Sequence, residues 1–598
     1  MRRIVTLGSP LVAAAAVVLG ATIFGHQDAT AKRPSAPSYF VAPTGSDSNS
    51  CTSRRSPCGS WNAAYQRAKA GSVVGVACGT YTSQDIFMSG TRRSAAKVVF
   101  RPTGRCKRVT VVGSLDLQAA HLTVENVDVV NDPSQLSVNG GGRARIHLWP
   151  NNISGPTPDG ITVINSSANF VDVHSSRNVL IRGGIYGNQP NYGSHVGSYE
   201  SAQQGAQNIV FDGVTFRDVY PDATLDSDPR ATCLTLRNFV GVTVRRSRFY
   251  NCQFYDIFMR SDGRWRWPQN KDFRAENNVF GPTLGAGIEF DSISCMDSGN
   301  NPSFNPNKAQ LAATTTLPAT EIVLLRNAGN RYYDVVNFPN AGEIRIGKYI
   351  LRYTSKTVDG GVVTLHGVTA GTVGGGPGTG TFAAGTVITQ IYNFCGGTLS
   401  DGSPNPNPPV CQAGPGTCKG FYEGHFVIRY NTFLGTRLAW GTQPDPASYA
   451  SVVVEQYGNY ADGTQPGFCQ IVSDYYRYWN YNVFATRSKD DTKCGGRQNI
   501  VNASLARTFV HTMEYKPCKG TGSGGRAPAN GDCPPPPDPT LRKGALAIGA
   551  GRPGVFPPTD IDGLRRPIGK VDAGGEESPY CTRSLRAPKQ SRPCPHHR

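Results

Sequence analysis

"VFDGVTF", Val210 to Phe216, is the stretch on which the fold turns. Phe211 is followed by four mixed residues and then, five places on, by Phe216. The same spacing recurs in "TVENVDV" (Val124, Val129), "LIRGGIY" (Ile181, Tyr186), "TVRRSRF" (Val244, Phe249) and "RAENNVF" (Ala275, Phe280). It continues in "VIRYNTF" (Ile428, Phe433) and "YWNYNVF" (Trp479, Phe484). The steps from Ile181 to Phe211, Val244 and Ala275 are 30, 33 and 31 residues. A period in this range marks a stacked architecture in which each unit buries its apolar face only against its neighbours.

Helical repeats of this length need long amphipathic helices, whereas Gly-Gly, Asn and β-branched residues fill these units. Propeller blades need four strands per repeat and a recurring signature that is not found here. Short strands joined by turns predict an all-β, right-handed parallel β-helix whose rungs stack ~4.8 Å apart. Composition agrees: 69 Gly, 43 Pro and only 5 Met among 598 residues, with 17% charged. Asn126, Asn277, Asn431 and Asn482 fall at the repeat bend and are expected to form stacked amide ladders.

The ends of the chain set the compartment. Arg2 and Arg3, an apolar run densest from Leu11 to Phe24, and Ala29-Thr30-Ala31 follow the pattern of a secretory signal. Residues 1–31 are therefore expected to be removed, leaving no membrane-spanning segment and an exported or surface location. All 16 cysteines follow that segment, and disulfides are the expected state, with Cys51/Cys58, Cys411/Cys418 and Cys518/Cys533 spaced to staple loops. No CxxC pair exists, which argues against a structural zinc site. A net charge of +18 favours polyanionic partners such as acidic polysaccharides and gives no sign of specific nucleic-acid binding.

The opening "YFVAPTGSDSNSCTSRRSPCGSWNAAYQRAKAGSVVGVACGTYTSQ", Tyr39 to Gln84, resembles the start of pectate-lyase-like parallel β-helix proteins, with a short capping helix after the "PTGSD" turn. "AIGAGRPGVFPPTDIDGLRRPIGKVDAGGEE", Ala547 to Glu577, resembles the closing segment of many exported bacterial β-helix proteins. Between Ala275 and Ile428 the repeat is interrupted. There "FPNAGEIRIGKYILRYT", "LHGVTAGTV" and "AAGTVITQ" resemble a small β module of phage-tail and bacterial surface proteins, whose family role is structural or adhesive. The expected organisation is a cap and first β-helix part over 32–310, the module over 311–392, further rungs over 393–518, and a Gly/Pro-rich segment with basic tail over 519–598.

The resemblance covers lyases, hydrolases, epimerases and non-catalytic surface proteins, so function must come from the site. It implies a substrate groove along one sheet. Fifteen residues beyond Val244 and Ala275 come Met259 and Phe290, and Leu236 is the expected equivalent one rung earlier. This register stacks Arg237, Arg260 and Asp291 as a ladder, with Thr235, Phe258 and Glu289 as an outward row. Cleavage of a uronate polymer needs a cation against the carboxylate, which acidifies the neighbouring proton, and a base to take that proton. Arg237, Arg260 and Lys271 could serve there. Asp226, Asp228, Glu289 and Asp291 could hold calcium or act as an acid–base pair; no motif demands a cofactor.

The NTD, DD, GHG and RIK set of polygalacturonase-like hydrolases and the "WIDH" run of pectate lyases are not found. The nearest approach to the alginate-lyase-type "NxEGxRIG" is Glu343 to Gly347, which falls in the inserted module and is rejected. The competing structural account makes Arg237, Arg260 and Asp291 a salt-bridged ladder that holds register. His174, His195 and His425 are expected as turn or surface residues. The loop within "DIFMRSDGRWRWPQNKDF" carries Asp262, Arg264, Trp265, Arg266 and Trp267, cations beside flat rings that suit an acidic sugar chain. The alternatives are an exported enzyme, lyase or hydrolase, acting on an acidic polysaccharide, and a non-catalytic glycan-binding surface protein.

Overall fold

The repeat is a rung. In the computed structural model, parallel register pairs join Val124 to Val163, Ile181, Phe211, Val244, Ala275 and Ile428 in succession. Residues 36–88, 95–134, 144–150, 156–190, 192–197, 205–220, 231–261, 270–283, 286–292, 308–325, 341–347, 349–370, 379–391, 422–440, 451–464, 476–484, 499–500, 503–510, 538–552, 556–566 and 571–575 are described. Between Val124 and Trp479, two rungs among the described residues escape the sequence pattern, at Val163 and Gln456, because Ala168 and Ala461 stand where an aromatic or branched residue was required.

Each complete rung contributes up to three strands, as in Phe239–Arg245, Arg248–Cys252 and Tyr255–Ser261. Their counterparts pile into a first, a second and a third stack, all parallel. The long strand Thr432–Trp440 serves two stacks: its start pairs with Val279–Phe280 of the second and its end with Ala286–Ser292 of the third. Period-two alternation sends Val244, Phe249 and Met259 inward, all fully buried. In the second stack the rings of Phe216, Phe249, Phe280 and Phe433 lie over one another at 4.8, 5.1 and 4.8 Å.

The corner between first and second stacks is set by one backbone state. From Val124 onward, the chain is left-handed two residues past each core position: Asn126, Asn165, Gly183, Gly213, Arg246, Asn277, Tyr430, Gly458 and Tyr481 all have φ between 48 and 68°. Gly and Asn tolerate this state best, which is why they mark the bend in sequence. The amide ladder is one residue further on. Asn278, Asn431, Asn459, Asn482 and Asn499 form it, each accepting from the backbone N–H of the previous member at 2.9–3.1 Å where a previous member exists. Asn431 and Asn482 are thus placed as expected. Asn126 and Asn277 instead take the left-handed position, which turns their side chains away; Asn277 accepts from Arg566 Nη2 at 2.9 Å.

The start of the stack is covered by a helix, and a late segment flanks the side of its later rungs. Helix Trp61–Arg67 begins at Ser60, whose Oγ accepts from Ala63 N–H, and stacks Trp61 on Phe100 at 5.3 Å. The segment around Ala547, Ile561 and Ala573 packs on Val279, Leu434 and Tyr460 of the later rungs. Between Ala275 and Ile428, which pair directly, an antiparallel sheet running from Lys308–Leu311 to Val387–Ile391 has its own core of Ile322, Ile344, Leu351 and Val363. Disulfides join Cys51–Cys58, Cys78–Cys106 and Cys233–Cys252. The spacings at Cys411/Cys418 and Cys518/Cys533 lie outside the described residues. Among the described residues no helix is long and apolar enough to cross a membrane.

Asn459 donates to Ile428 O at 2.8 Å and to Asn482 Oδ1, and accepts twice from Asn431, all while buried. N459A leaves those groups without partners and is expected to cost about 2–4 kcal/mol, read as a lower midpoint of denaturant unfolding. N208G, at the exposed Asn208–Asn178 pair, is expected to change it by less than about 0.5 kcal/mol.

Candidate functional site

The third stack has an outer face unlike the others. Its inward positions are apolar: Leu115, Ile146, Val171, Val173, Val196, Leu236, Met259 and Phe290. The residues between them must point outward. In direct register these are Asp85, Asp116, His147, Asp172, His195, Thr235, Phe258 and Glu289. Two residues further along each strand, a second outward row holds Trp149, His174, Gly197 and Arg237, with the backbone of His174 paired to that of Gly197.

The expected register of Leu236, Met259 and Phe290 is therefore the observed one. Arg237, half-buried, donates its backbone N–H to Val196 O at 2.8 Å. The backbones of Arg260 and Asp291 are paired; their side chains are outside the described atoms. Thr235, Phe258 and Glu289 point away from the core as expected, yet are only 4–5% exposed. Lys271 is not brought to this face: it belongs to the first stack, paired with Val240 and Glu423. Asp226, Asp228, Asp262, Arg264, Trp265, Arg266 and Trp267 lie outside the described residues.

Sequence reasoning placed His174 and His195 in turns or on the surface. Both are instead in strands and buried, 3% and 4% exposed, because they occupy outward positions of neighbouring rungs that other groups cover. His425 is exposed, its Nδ1 3.8 Å from Glu455. Asp85, Asp116, His147, Trp149 and Asp172 were not anticipated. A signal for this row existed: the fifteen-residue step that links Val244 to Met259 also links Ile181 to Val196, next to His195.

The side chains form one cluster. The rings of His147, His174 and His195 follow one another at 5.7 and 5.0 Å, and Trp149 packs on His147 at 4.5 Å and on His174 at 5.3 Å. His147 Nδ1 is 3.4 Å from Asp116 Oδ1, which also faces Arg145 Nε at 3.8 Å. His174 Nε2 is 4.0 Å from Asp172 Oδ2. Gly197 lets the backbone of the Arg237 strand approach closely: a Cβ there would stand 2.0 Å from the Arg237 carbonyl oxygen.

Electrostatics follows the packing. Burial pushes Asp172 up to about 7, opposed by Arg145 and helped by Asp116. Burial and then the Arg237 charge hold His195 well below the usual imidazole range. At the start of the row burial, the hydrogen bond to Asp116 and its charge raise Asp85 to about 6. Burial also pushes Asp116 upward, but His147 and Arg145 outweigh it and keep that carboxyl below its usual range. The pair thus holds its proton on Asp85. An open concavity of about 500 Å³, lined by Asp128, Asn131, Asn169, Asn188, Arg217 and Asp218, shares none of these residues.

No known protein family model matches the chain, and no curated protein matches it. Among solved structures it is similar to the pectate lyase Pel9A at 12% identity and TM-score 0.34, over 90% of this chain and 96% of that one. It is also similar to an alginate lyase from Paenibacillus sp. str. FPU-7 at 13% identity and TM-score 0.26, over 39% and 88% of the two chains. A GH136 lacto-N-biosidase from Eubacterium ramulus gives 12% and 0.27, over 43% and 57%. At this level the fold rests on the strand registers of the chain itself.

Asp85 is raised in the folded chain, so its proton adds stability that is complete below the ordinary value of 3.8 and is lost as pH rises through about 6. D85N removes the repulsion with Asp116 that remains above that point. D85N should therefore be the more stable at about pH 7, seen as a higher thermal midpoint, by less than about 1 kcal/mol because Asp85 is only partly buried and is screened by solvent. Thermal scans at about pH 4 should show no difference.

Proposed function

We propose that this chain is an exported β-helix protein that acts on an acidic polysaccharide, cleaving it by β-elimination on the outer face of the third stack. The observation that carries this reading is His195 beside Arg237, at the end of the outward run of ionisable side chains Asp85, Asp116, His147 and Asp172, where the fold requires none. Burying such groups costs free energy unless they are paired, and a β-helix face is stable without them. Their concentration on one face is the mark of a reaction centre.

In this mechanism Arg237 pairs with a uronate carboxylate and makes the adjacent C5 proton more acidic. His195 takes that proton, the C–H electrons form the C4=C5 double bond, and the C4–O bond breaks. The leaving oxygen is protonated by the imidazolium or by water. Arg260, Asp291 and Glu289 extend the surface along the polymer. Asp262, Arg264, Trp265, Arg266 and Trp267 follow strand Tyr255–Ser261 directly in sequence and are assigned to substrate binding. A net charge of +18 supports an acidic partner. Three disulfides fit an oxidising, extracytoplasmic location.

Incubation with a panel of polyuronates is expected to produce the ultraviolet absorbance of the unsaturated product. R237A and H195A should each lower kcat/KM by about 100-fold or more, with unchanged circular dichroism. New reducing ends without that absorbance would favour hydrolysis. Silence across the panel with retained glycan binding would replace the enzyme with an adhesive protein.

A further inference from the structure

The imidazoles of His147 and His174 and the carboxylate of Asp172 converge more closely than proton transfer along a polymer requires. Their ligand atoms all lie within 4.8 Å of one another. His147 and Asp172 are direct register partners on adjacent strands, and His174 follows Asp172 by two residues, so all three point out of the same face. A first-row metal with bonds of ~2.0–2.2 Å holds its ligand atoms about 3–4 Å apart, within reach of small side-chain rotations here.

We propose that His147, Asp172 and His174 form a binding site for a borderline divalent metal of the zinc class. Two imidazole nitrogens and one carboxylate oxygen suit Zn²⁺, Co²⁺ or Fe²⁺, whereas calcium takes six to eight oxygens. Three protein ligands leave a position open to water or substrate.

The surroundings match what such a site needs. Asp116 is 3.4 Å from His147 Nδ1, so the Nδ1–H can point to it and Nε2 to the metal, the carboxylate–histidine arrangement that fixes a ligand's tautomer. Arg145 in turn faces Asp116. Trp149 packs on both imidazoles and limits their rotation. The metal would sit beside His195, whose ring is 5.0 Å from that of His174, and would supply a Lewis acid there. The calcium expected from the acidic residues is a separate matter: Glu289 is not one of these three ligands, and Asp226, Asp228 and the Asp291 side chain lie outside the described atoms.

The test is metal uptake by the full-length exported chain with no glycan present, so its failure and failure of the glycan reading are distinguishable. After chelation and dialysis the chain is titrated with Co²⁺ and with Zn²⁺, following cobalt d–d absorption and metal content. One equivalent per chain is expected, undisturbed by about a hundredfold excess of Ca²⁺. H147A and H174A should each weaken binding by more than about tenfold, and D116N by about tenfold. H596A/H597A, which removes the two adjacent histidines of the tail, should leave it unchanged. H174Q, which keeps the volume, replaces H174A if circular dichroism shows the latter unfolded. No stoichiometric uptake by folded chain would overturn the site. So would uptake that survives loss of both His147 and His174, or that disappears with the tail pair.

Discussion

Most of this molecule depends on one recurrent constraint: from Val124 onward, each rung must leave its first strand through a left-handed residue and land in register on the rung before. The left-handed state is costly for residues with a Cβ, by roughly 1–2 kcal/mol. Arg246, Tyr430 and Tyr481 nevertheless adopt it. Partners at the corner compensate. Arg246 is paired with the buried Asp212, and Tyr430 lies under Arg566 of the closing segment at 4.8 Å. Beside them runs the Asn278–Asn499 ladder, whose amides satisfy backbone groups that a corner would otherwise leave unpaired.

That constraint also makes the outer face of the third stack. Once the first strand of a rung is in register, the third is too, and strand alternation decides which residues face out. A slip of one residue would send His147, Asp172 and His195 into the core and Ile146, Val171 and Val196 into solvent. The apolar set forbids the slip, so the packing that stabilises the solenoid also aligns its ionisable groups. Insertions can leave a rung at its ends without disturbing the register. The antiparallel module between Ala275 and Ile428 shows this: the flanking residues still pair directly.

The stacked fold, its parallel strands and the capping helix were legible because they depend on spacings repeated along the chain. The ladder from Leu236 to Phe290 was legible for the same reason. The start of the site was not. His174 stands in a rung whose first-strand signal is weak, with Ala168 in place of a ring, and the segments between second and third strands vary in length, which hides the register of His147. Without a register, each histidine reads as an isolated polar residue. Asn277 illustrates the finer limit: the sequence located the bend but not which of two adjacent asparagines would turn inward. The role of the Arg264–Trp267 loop depends on contacts that no periodicity encodes.

The central claim is that the outer face of the third stack is where substrate meets the chain. A crystal structure with a bound oligouronate tests it most directly. The account predicts a sugar carboxylate against Arg237, its C5 facing His195, and the chain lying along the row from His147 towards Asp291. Sugar bound at the first stack or on the antiparallel module, with the His147–His195 row closed off, would contradict it.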